Sequence, residues 1–245
     1  MDATAIQRAL IALGYSLVAD GIMGPKTRTA IQAFQRGQGL AVDGIVGPLT
    51  IAALQAAGNK KPDQAGGTGG VLPPDWLPPA RMSRVILHWT AGSHRASSLD
   101  RSHYHILIEA DGALVRGNPS IALNDAGGTK KGYAAHTLNC NTGSIGVALC
   151  CMAGAVESPF KPGSAPMTRA QWEMLPRVVA NLCRRYGIPV TPKTVLSHAE
   201  VQANLGIKQK GKWDISRLSF DPAVVGPKAC GDIMRDRASD LLRSI

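Results

Sequence analysis

The chain contains 245 residues, enough for one large domain or for a small domain joined to a medium one. No apolar run approaches the roughly 18 residues that a membrane-spanning helix needs, so we expect no membrane insertion. The formal net charge of +10 favours polyanionic partners such as nucleic acid, anionic membrane surfaces or other anionic polymers. Excess lysine and arginine can also simply keep a surface solvated, so charge alone does not choose a partner.

The first residues, MDATAIQRAL, carry an acid at position 2 and no basic stretch before an apolar run, which predicts that no cleavable signal peptide is present. The cysteines are odd in number and irregularly spaced, unlike a disulfide framework. A Cys/His hydrolase is disfavoured, because a reactive thiolate usually lies at a helix N-terminus or beside a histidine and Cys150 and Cys151 lie in a predicted strand. We expect most cysteines to be small buried apolar residues: Cys140, Cys150, Cys151, Cys183 and Cys230.

The N-terminal part of the chain contains an internal repeat, in which 20-DGIMGPKT-27 returns as 43-DGIVGPLT-50. Each copy has a D-G turn and then a proline, Pro25 or Pro48, which suits the first position of a helix. The apolar positions that follow have helical spacing, and an earlier segment with Ile6, Leu10 and Leu13, ended by Gly14, predicts one more helix. We therefore predict a small three-helix domain over residues 1–58.

Residues 59–79 are rich in glycine and then in proline, which predicts a flexible tether followed by a stiffer arm. Beyond it, residues 80–245 alternate strands and helices, which predicts an α/β domain with a mixed sheet covered by helices. A helix is predicted at 168–187, with a capping box from Thr168 to Gln171 and a kink or loose turn at Pro176. The predicted strands are 84–90, 104–117 (two strands around a D-G turn), 144–152 and 194–198, and a last helix begins near residue 229.

Two histidines share one setting, because His88 ends an apolar strand before a T-A-G loop and His198 ends the strand 194–197. A single histidine of this kind is more often structural, but two together favour a shared site. In 211-GKWDISR-217, Lys212 and Asp214 would point to the same face if the segment is extended. Such a pair is usually solvent-exposed and weak.

Two family resemblances follow from these motifs. The stretch 34-FQRGQGLAVDGIVGPLT-50 resembles the helical peptidoglycan-binding domain that accompanies many wall hydrolases. The second domain resembles the type-2 N-acetylmuramoyl-L-alanine amidases, which include phage lysozymes of the amidase type and peptidoglycan-recognition proteins. The motifs that carry this second resemblance are 86-ILHWTAG-92, 103-HYHILIEADG-112, 136-HTLNCNTGSIGVAL-149, 196-LSHAEV-201 and 212-KWD-214.

The amidase resemblance implies one Zn²⁺ bound by His88, His198 and Asp214, with a fourth position left for water. It implies hydrolysis of the amide between N-acetylmuramic acid and L-Ala. Lys212 would stabilise the developing oxyanion, as the matching lysine does in the family.

The same resemblance assigns two further positions. Ala148 occupies the place where some members have a glutamate, so Tyr104 would be the second helper, as in the tyrosine subtype. His136 would lie beside the substrate groove. Alternatively, it is a structural loop histidine whose ring forms hydrogen bonds within the protein.

The stretch 102-SHYHILIEADG-112 has a spacing that metal sites use, with histidines at 103 and 105. On a pleated strand His103 and His105 would share one face and Tyr104 would take the other. If Tyr104 faces the metal, both histidines are structural, with His105 packed or hydrogen-bonded behind the sheet and His103 at the strand entry.

The leading hypothesis is a zinc-dependent amidase that cleaves bacterial cell wall, tethered by its N-terminal domain. A non-catalytic peptidoglycan-recognition protein is disfavoured by the presence of both Asp214 and Lys212. A cytoplasmic enzyme recycling soluble fragments is disfavoured because it needs no tether. We expect a monomer that binds peptidoglycan and no nucleic acid, made in the cytoplasm without a signal peptide and acting on the wall after release, as a phage or prophage endolysin does.

Overall fold

The computed structural model describes residues 1–12, 15, 17–38, 40–59 and 70–243. The chain divides into two compact units, Met1–Gly67 and Thr68–Ile245. Within the described residues, no helix is both long and apolar enough to cross a membrane.

The first unit is helical, as predicted. Its helices are α1 (Ala3–Ala12), α2 (Pro25–Gly37) and α3 (Pro48–Asn59), and both repeat prolines begin a helix. Leu13 and Gly14, predicted to end the first helix, lie outside the described residues. One small cluster of buried side chains forms the core of this unit: Ile6, Leu10, Ala30, Ile31, Phe34 and Leu54.

The sequence repeat of the first unit builds the same polar network twice. In the first copy the side-chain amide of Gln7 donates to Oδ1 of Asp20 at 2.7 Å, while its oxygen accepts from the backbone N–H of Gly21 at 2.8 Å. The second copy repeats these bonds around the buried amide of Gln35, with Asp43 at 2.7 Å and Gly44 at 2.9 Å. Each D-G turn is thus fastened to a helix by a buried glutamine. The remaining partners also match: Ile22 and Thr27 in one copy, Ile45 and Thr50 in the other.

The second unit is built on a mixed sheet, as predicted. Its strand order is β3-β2-β4-β1-β5; β1, β2, β4 and β5 run parallel and β3 is antiparallel. The carboxyl ends of the parallel strands therefore meet at one edge. The strands are β1 (Arg84–Trp89), β2 (Ile106–Ile108), β3 (Leu114–Arg116), β4 (Ser144–Leu149) and β5 (Val195–Ser197).

Helices and a small second sheet cover this framework. The capping box of Thr168 and Gln171 begins the long helix, and Gly187 in the left-handed conformation ends it. The sequence predicts a kink or a loose turn at Pro176; the loose turn is wrong, because the helix runs through that residue without a break. The elements are α4 (Ser98–His103), α5 (Arg169–Tyr186), α6 (Val201–Leu205), β6 (Arg217–Leu218), β7 (Asp221–Val225) and α7 (Pro227–Arg243).

Residues 70–79, which the composition assigned to the linker, pack onto the second unit. Leu72 and Leu77 are buried in its core. The backbone N–H of Leu72 donates to Oδ1 of Asn181 at 2.8 Å, and the guanidinium of Arg185 donates to the carbonyl of Leu77 at 3.1 Å. This arm is therefore structurally part of the unit that follows it.

The histidine pair near residue 104 does not lie on a strand. His103 is the exposed last residue of α4, and Tyr104 is the residue that follows the helix. The expectation that His103 and His105 share a strand face is therefore wrong. A capping box, with Ser97 and Asp100 bonded to each other's backbone, starts this short helix just before the strand.

Candidate metal centre and its cleft

Three side chains meet at the carboxyl edge of the parallel strands. His88 lies near the end of β1, His198 directly follows the neighbouring β5, and Asp214 comes from the loop before β6. Their potential ligand atoms lie within 4.8 Å of one another. Asp214 Oδ1 is 4.0 Å from His88 Nδ1, and its Oδ2 is 3.7 Å from His198 Nδ1. All three residues are buried.

Hydrogen bonds determine which ring nitrogen of His88 faces this cluster. The carbonyl of Ser144 can only accept, so Nε2 of His136, 3.3 Å away, carries a proton. Nδ1 of His136 is then an acceptor, and it lies 3.2 Å from Nε2 of His88. This pattern puts the proton of His88 on Nε2. Its Nδ1 is therefore bare, meaning that it carries no proton. This atom is fully buried and has no hydrogen-bond partner in the described residues.

His136 is itself one of the buried side chains of the site. Besides the bonds to Ser144 and His88, its Nδ1 lies 2.8 Å from Oγ1 of Thr137. The loop that carries it is held by Asn141, whose Oδ1 accepts from the backbone N–H groups of His136 and Thr137. Both ring nitrogens of His136 are therefore engaged by protein atoms. The ring nevertheless lies on the wall of the cleft described below.

His105 is held by hydrogen bonds, as expected, but it does not lie behind the sheet: its ring is 5.8 Å from that of His136, centroid to centroid, on the side where His136 contacts His88. Its Nδ1 accepts from the backbone N–H of Gly146 at 3.0 Å, and its Nε2 lies 3.0 Å from Oδ1 of Asn124. The amide of Asn124 in turn donates to the carbonyls of Ala134 and Asn141. His105 and Asn124 thus fasten the His136 loop to the sheet.

The loop that carries Asp214 is a turn rather than an extended strand. Ile215, which is fully buried, has a φ of 55°, in a region that β-branched residues avoid. The backbone N–H of Trp89 lies 3.4 Å from Oδ1 of Asp214. The condition that 211–217 is extended is therefore not met, although Lys212 and Asp214 both remain at the site.

The ionisation of the cluster follows from its burial. Burial, together with the nearby His136, His198 and Lys212, holds the pKa of His88 well below its usual value. Burial also lowers the pKa of His198, against the opposing effect of Asp214. Burial raises the pKa of Asp214, against the opposing effect of His198 and Lys212. Both imidazoles are neutral at neutral pH, which is the state in which histidine binds metals.

Tyr104 and Ala148 flank His88. The ring of Tyr104 lies 5.1 Å from that of His88, centroid to centroid. Burial raises the pKa of Tyr104 far above its usual value, with the charge of Asp214 adding to the shift, so the phenol stays protonated. Ala148 pairs in register with His88 on the adjacent strand, so no carboxylate occupies that position.

A cleft of about 720 Å³ opens beside His198. Lys212 and Lys210 line one wall, and the loop that carries His136 lines the other. The two segments around the cleft, 126–144 and 201–213, contain five lysines and no aspartate or glutamate. The residues that line the cleft are Thr129, Tyr133, Ala135, His136, Thr137, Leu138, Asn139, Asn141, Thr142, His198, Gln209, Lys210 and Lys212.

Two supporting groups have no strong signal in the sequence. Gln209 lies 2.9 Å from Nε2 of His198. Glu200, at the turn that carries His198, forms a buried ion pair with Arg235 of α7 at 2.9 Å and accepts from the backbone N–H of Ser197 at 2.8 Å. Gly231 makes room for this carboxylate, since a β-carbon there would lie 2.5 Å from its oxygens.

The cysteines do not form a competing site. All five are buried and free. Burial raises the pKa of Cys150 to about 12, so its thiol is protonated at neutral pH.

The fold and the cluster define a class: an α/β domain with two neutral histidines and one carboxylate converging beside a basic cleft. Residues 78–215, more than half of the chain, match the family described as N-acetylmuramoyl-L-alanine amidase. The chain therefore belongs to the N-acetylmuramoyl-L-alanine amidase family. Residues 2–54 match the family described as putative peptidoglycan binding domain. Both resemblances found in the sequence are thus confirmed.

Solved structures similar to the chain include two endolysins and one further amidase. LysCS, an endolysin amidase from Clostridium intestinale, is 17% identical over 54% of this chain and 91% of its own, with a TM-score of 0.34. AmiD from E. coli, solved with an anhydro-muropeptide, is 24% identical over 49% of each chain (TM-score 0.35). The Ph2119 endolysin of a Thermus scotoductus bacteriophage is 19% identical over 51% of this chain and 75% of its own (TM-score 0.32). A search of curated proteins found no match.

Proposed function

We propose that this protein is a zinc-dependent amidase that hydrolyses the bond between the lactyl group of N-acetylmuramic acid and L-Ala in peptidoglycan. The observation that carries the proposal is the bare Nδ1 of His88, buried and aimed at a second imidazole and a carboxylate. An unpaired buried polar atom costs free energy, and a cation bound there would remove that cost.

The donor set suits Zn²⁺. Two imidazole nitrogens and one carboxylate, His88, His198 and Asp214, are the ligand types of catalytic zinc sites, which keep the fourth position open. When bound, the ion would polarise the amide carbonyl and lower the pKa of a coordinated water towards about 7.

The roles of the other side chains follow from their charges. The protonated phenol of Tyr104, beside His88, can donate a hydrogen bond to the oxygen on which negative charge develops. The exposed ammonium of Lys212 lines the cleft next to His198 and can stabilise the same charge. His136 has no free ring nitrogen for a substrate, so we propose that it orients His88 from the cleft wall.

The basic rim of the cleft suits the carboxylates of peptidoglycan stem peptides, since Lys210 and Lys212 line it and no aspartate or glutamate is among the described residues that line it. The N-terminal unit would hold the enzyme at its polymer and so raise the local substrate concentration. Release to the wall as a phage or prophage endolysin stays a prediction from this domain pairing.

The deciding experiment is mass spectrometry of digested peptidoglycan. We expect the wild type to release stem peptides with a new N-terminal L-Ala while the glycan strands stay intact, and we expect no such peptides with His198→Ala or after removal of metal with a chelator. Activity should return when Zn²⁺ is added back to the wild type. New reducing sugar ends would contradict the reaction, full activity after exhaustive chelation would contradict the zinc, and zinc binding without cleavage would favour a recognition protein.

A further inference from the structure

We infer that Gln209 is a positioning residue that presents Nδ1 of His198 to the metal and couples the centre to the opposite wall of the cleft. This inference rests on the proposed function. It begins from a loop glutamine that lies outside every motif of the family resemblance, yet contacts a proposed ligand directly.

The orientation of the Gln209 amide is fixed by its other contacts. Its nitrogen lies 3.0 Å from the carbonyl of Leu138 and 3.4 Å from that of Ile207, and both can only accept. The amide nitrogen must therefore face these carbonyls, and the oxygen Oε1 must face His198. Because Oε1 can only accept, the proton of His198 lies on Nε2, and Nδ1 keeps its lone pair for a metal.

Four hydrogen bonds hold Gln209 in this position. Its backbone N–H donates to Oε1 of Gln202 at 2.9 Å, which anchors the loop to α6. Its side chain then bridges from His198 to Leu138, a residue on the opposite wall of the cleft. A hydrogen-bonded partner on the far nitrogen of a metal-binding histidine fixes the ring and strengthens the ligand. Here the same partner also fixes the distance between the two walls.

The two proposed histidine ligands thus have equivalent supports made from different groups. His88 is oriented by His136, which depends on the carbonyl of Ser144. His198 is oriented by Gln209, which depends on the carbonyls of Leu138 and Ile207. In both cases an acceptor-only carbonyl decides which nitrogen of the histidine stays bare.

The test is zinc affinity, measured on the full chain by competition with a chromophoric chelator. Gln209→Ala is expected to weaken zinc binding by about 10–100-fold. Gln209→Glu keeps an acceptor for His198 but loses the donor to Leu138 and Ile207, so it is expected to weaken zinc binding less than Gln209→Ala does. Asn204→Ala is a matched control, because that amide in α6 donates to the carbonyl of Pro192 instead.

Two outcomes would overturn the inference: unchanged zinc affinity in Gln209→Ala, or equal weakening in Gln209→Glu and Gln209→Ala. Thermal unfolding of the metal-free variants separates positioning from folding, since the three variants are expected to melt close to the wild type without metal. If the wild type itself binds no zinc, the proposed function fails. If the wild type binds zinc and Gln209→Ala binds it equally well, only this inference fails.

Discussion

Gly146 lies directly against the ring of His136. A β-carbon at position 146 would lie 2.7 Å from Cγ and Cδ2 of that ring, closer than real contacts allow. Glycine in the middle of β4 therefore makes room for the histidine that orients His88. We predict that Gly146→Ala destabilises the second unit by about 1–3 kcal/mol and lowers amidase activity, measured by urea unfolding and by product release.

The steric origin of that effect can be isolated with a double-mutant cycle. In a His136→Ala background the clash is gone, so Gly146→Ala is expected to cost much less stability. Additive losses in the double variant would show that the two residues do not compete for space. All four tryptophans lie at residues 76–213, so their fluorescence reports unfolding of the second unit alone.

Tyr104→Phe removes the phenol hydroxyl beside His88 and keeps the ring. We expect turnover to fall by about 10²–10³-fold, the loss typical of one preorganised donor to an oxyanion, with little change in zinc affinity. Tyr133→Phe is the control, because Tyr133 lines the cleft beside His198, whereas the ring that contacts His88 is that of Tyr104. Unchanged turnover in Tyr104→Phe would remove this residue from the mechanism.

The metal-free protein should lose stability in mild acid because of His105. Burial lowers the pKa of His105 from 6.5 to about 4, despite the opposing bond to Asn124. Between these values the unfolded chain binds a proton that the folded chain does not. Stability is therefore complete above pH 6.5 and falls by about 1.4 kcal/mol per pH unit as the pH drops towards 4.

Urea unfolding with chelator present, at pH 7 and pH 5, measures this loss. His105→Gln should be less stable than the wild type at pH 7, yet its further loss on going to pH 5 should be smaller by about 2 kcal/mol. Equal losses in the two proteins would assign the acid sensitivity to other groups, such as His88 and His136.

Much of the architecture could be predicted from local patterns, and the site could be predicted only in part. His88 and His198 were visible because each ends an apolar strand, and parallel neighbours bring such ends together. The short helix before Tyr104 was missed, although Ser97 and Asp100 have the spacing of a capping box, because the following apolar run favoured a strand. The supporting roles of Gln209 and Arg235 could not be predicted, since they depend on contacts between separate segments.

The pair of Glu200 and Arg235 gives a test of that non-local support. Arg235→Met leaves a buried carboxylate without its cation, and we expect the second unit to lose about 3–5 kcal/mol. Lys228→Met is the control on the same helix, because Lys228 is exposed and its pair with Asp232 contributes little. Equal, small losses in both variants would show that Glu200 does not depend on Arg235.

The contact between α7 and the His198 turn also limits how far this domain can be truncated at its C-terminal end. The region that matches the amidase family ends at residue 215, whereas Arg235 lies in the helix Pro227–Arg243 beyond it. A fragment trimmed to the matching region would keep every proposed ligand and still lose the cation of Glu200 and the side chains that α7 packs against α5. Sequence similarity thus marks the part of the chain that matches the family, and the compact unit to which it belongs extends to the end of α7 and beyond.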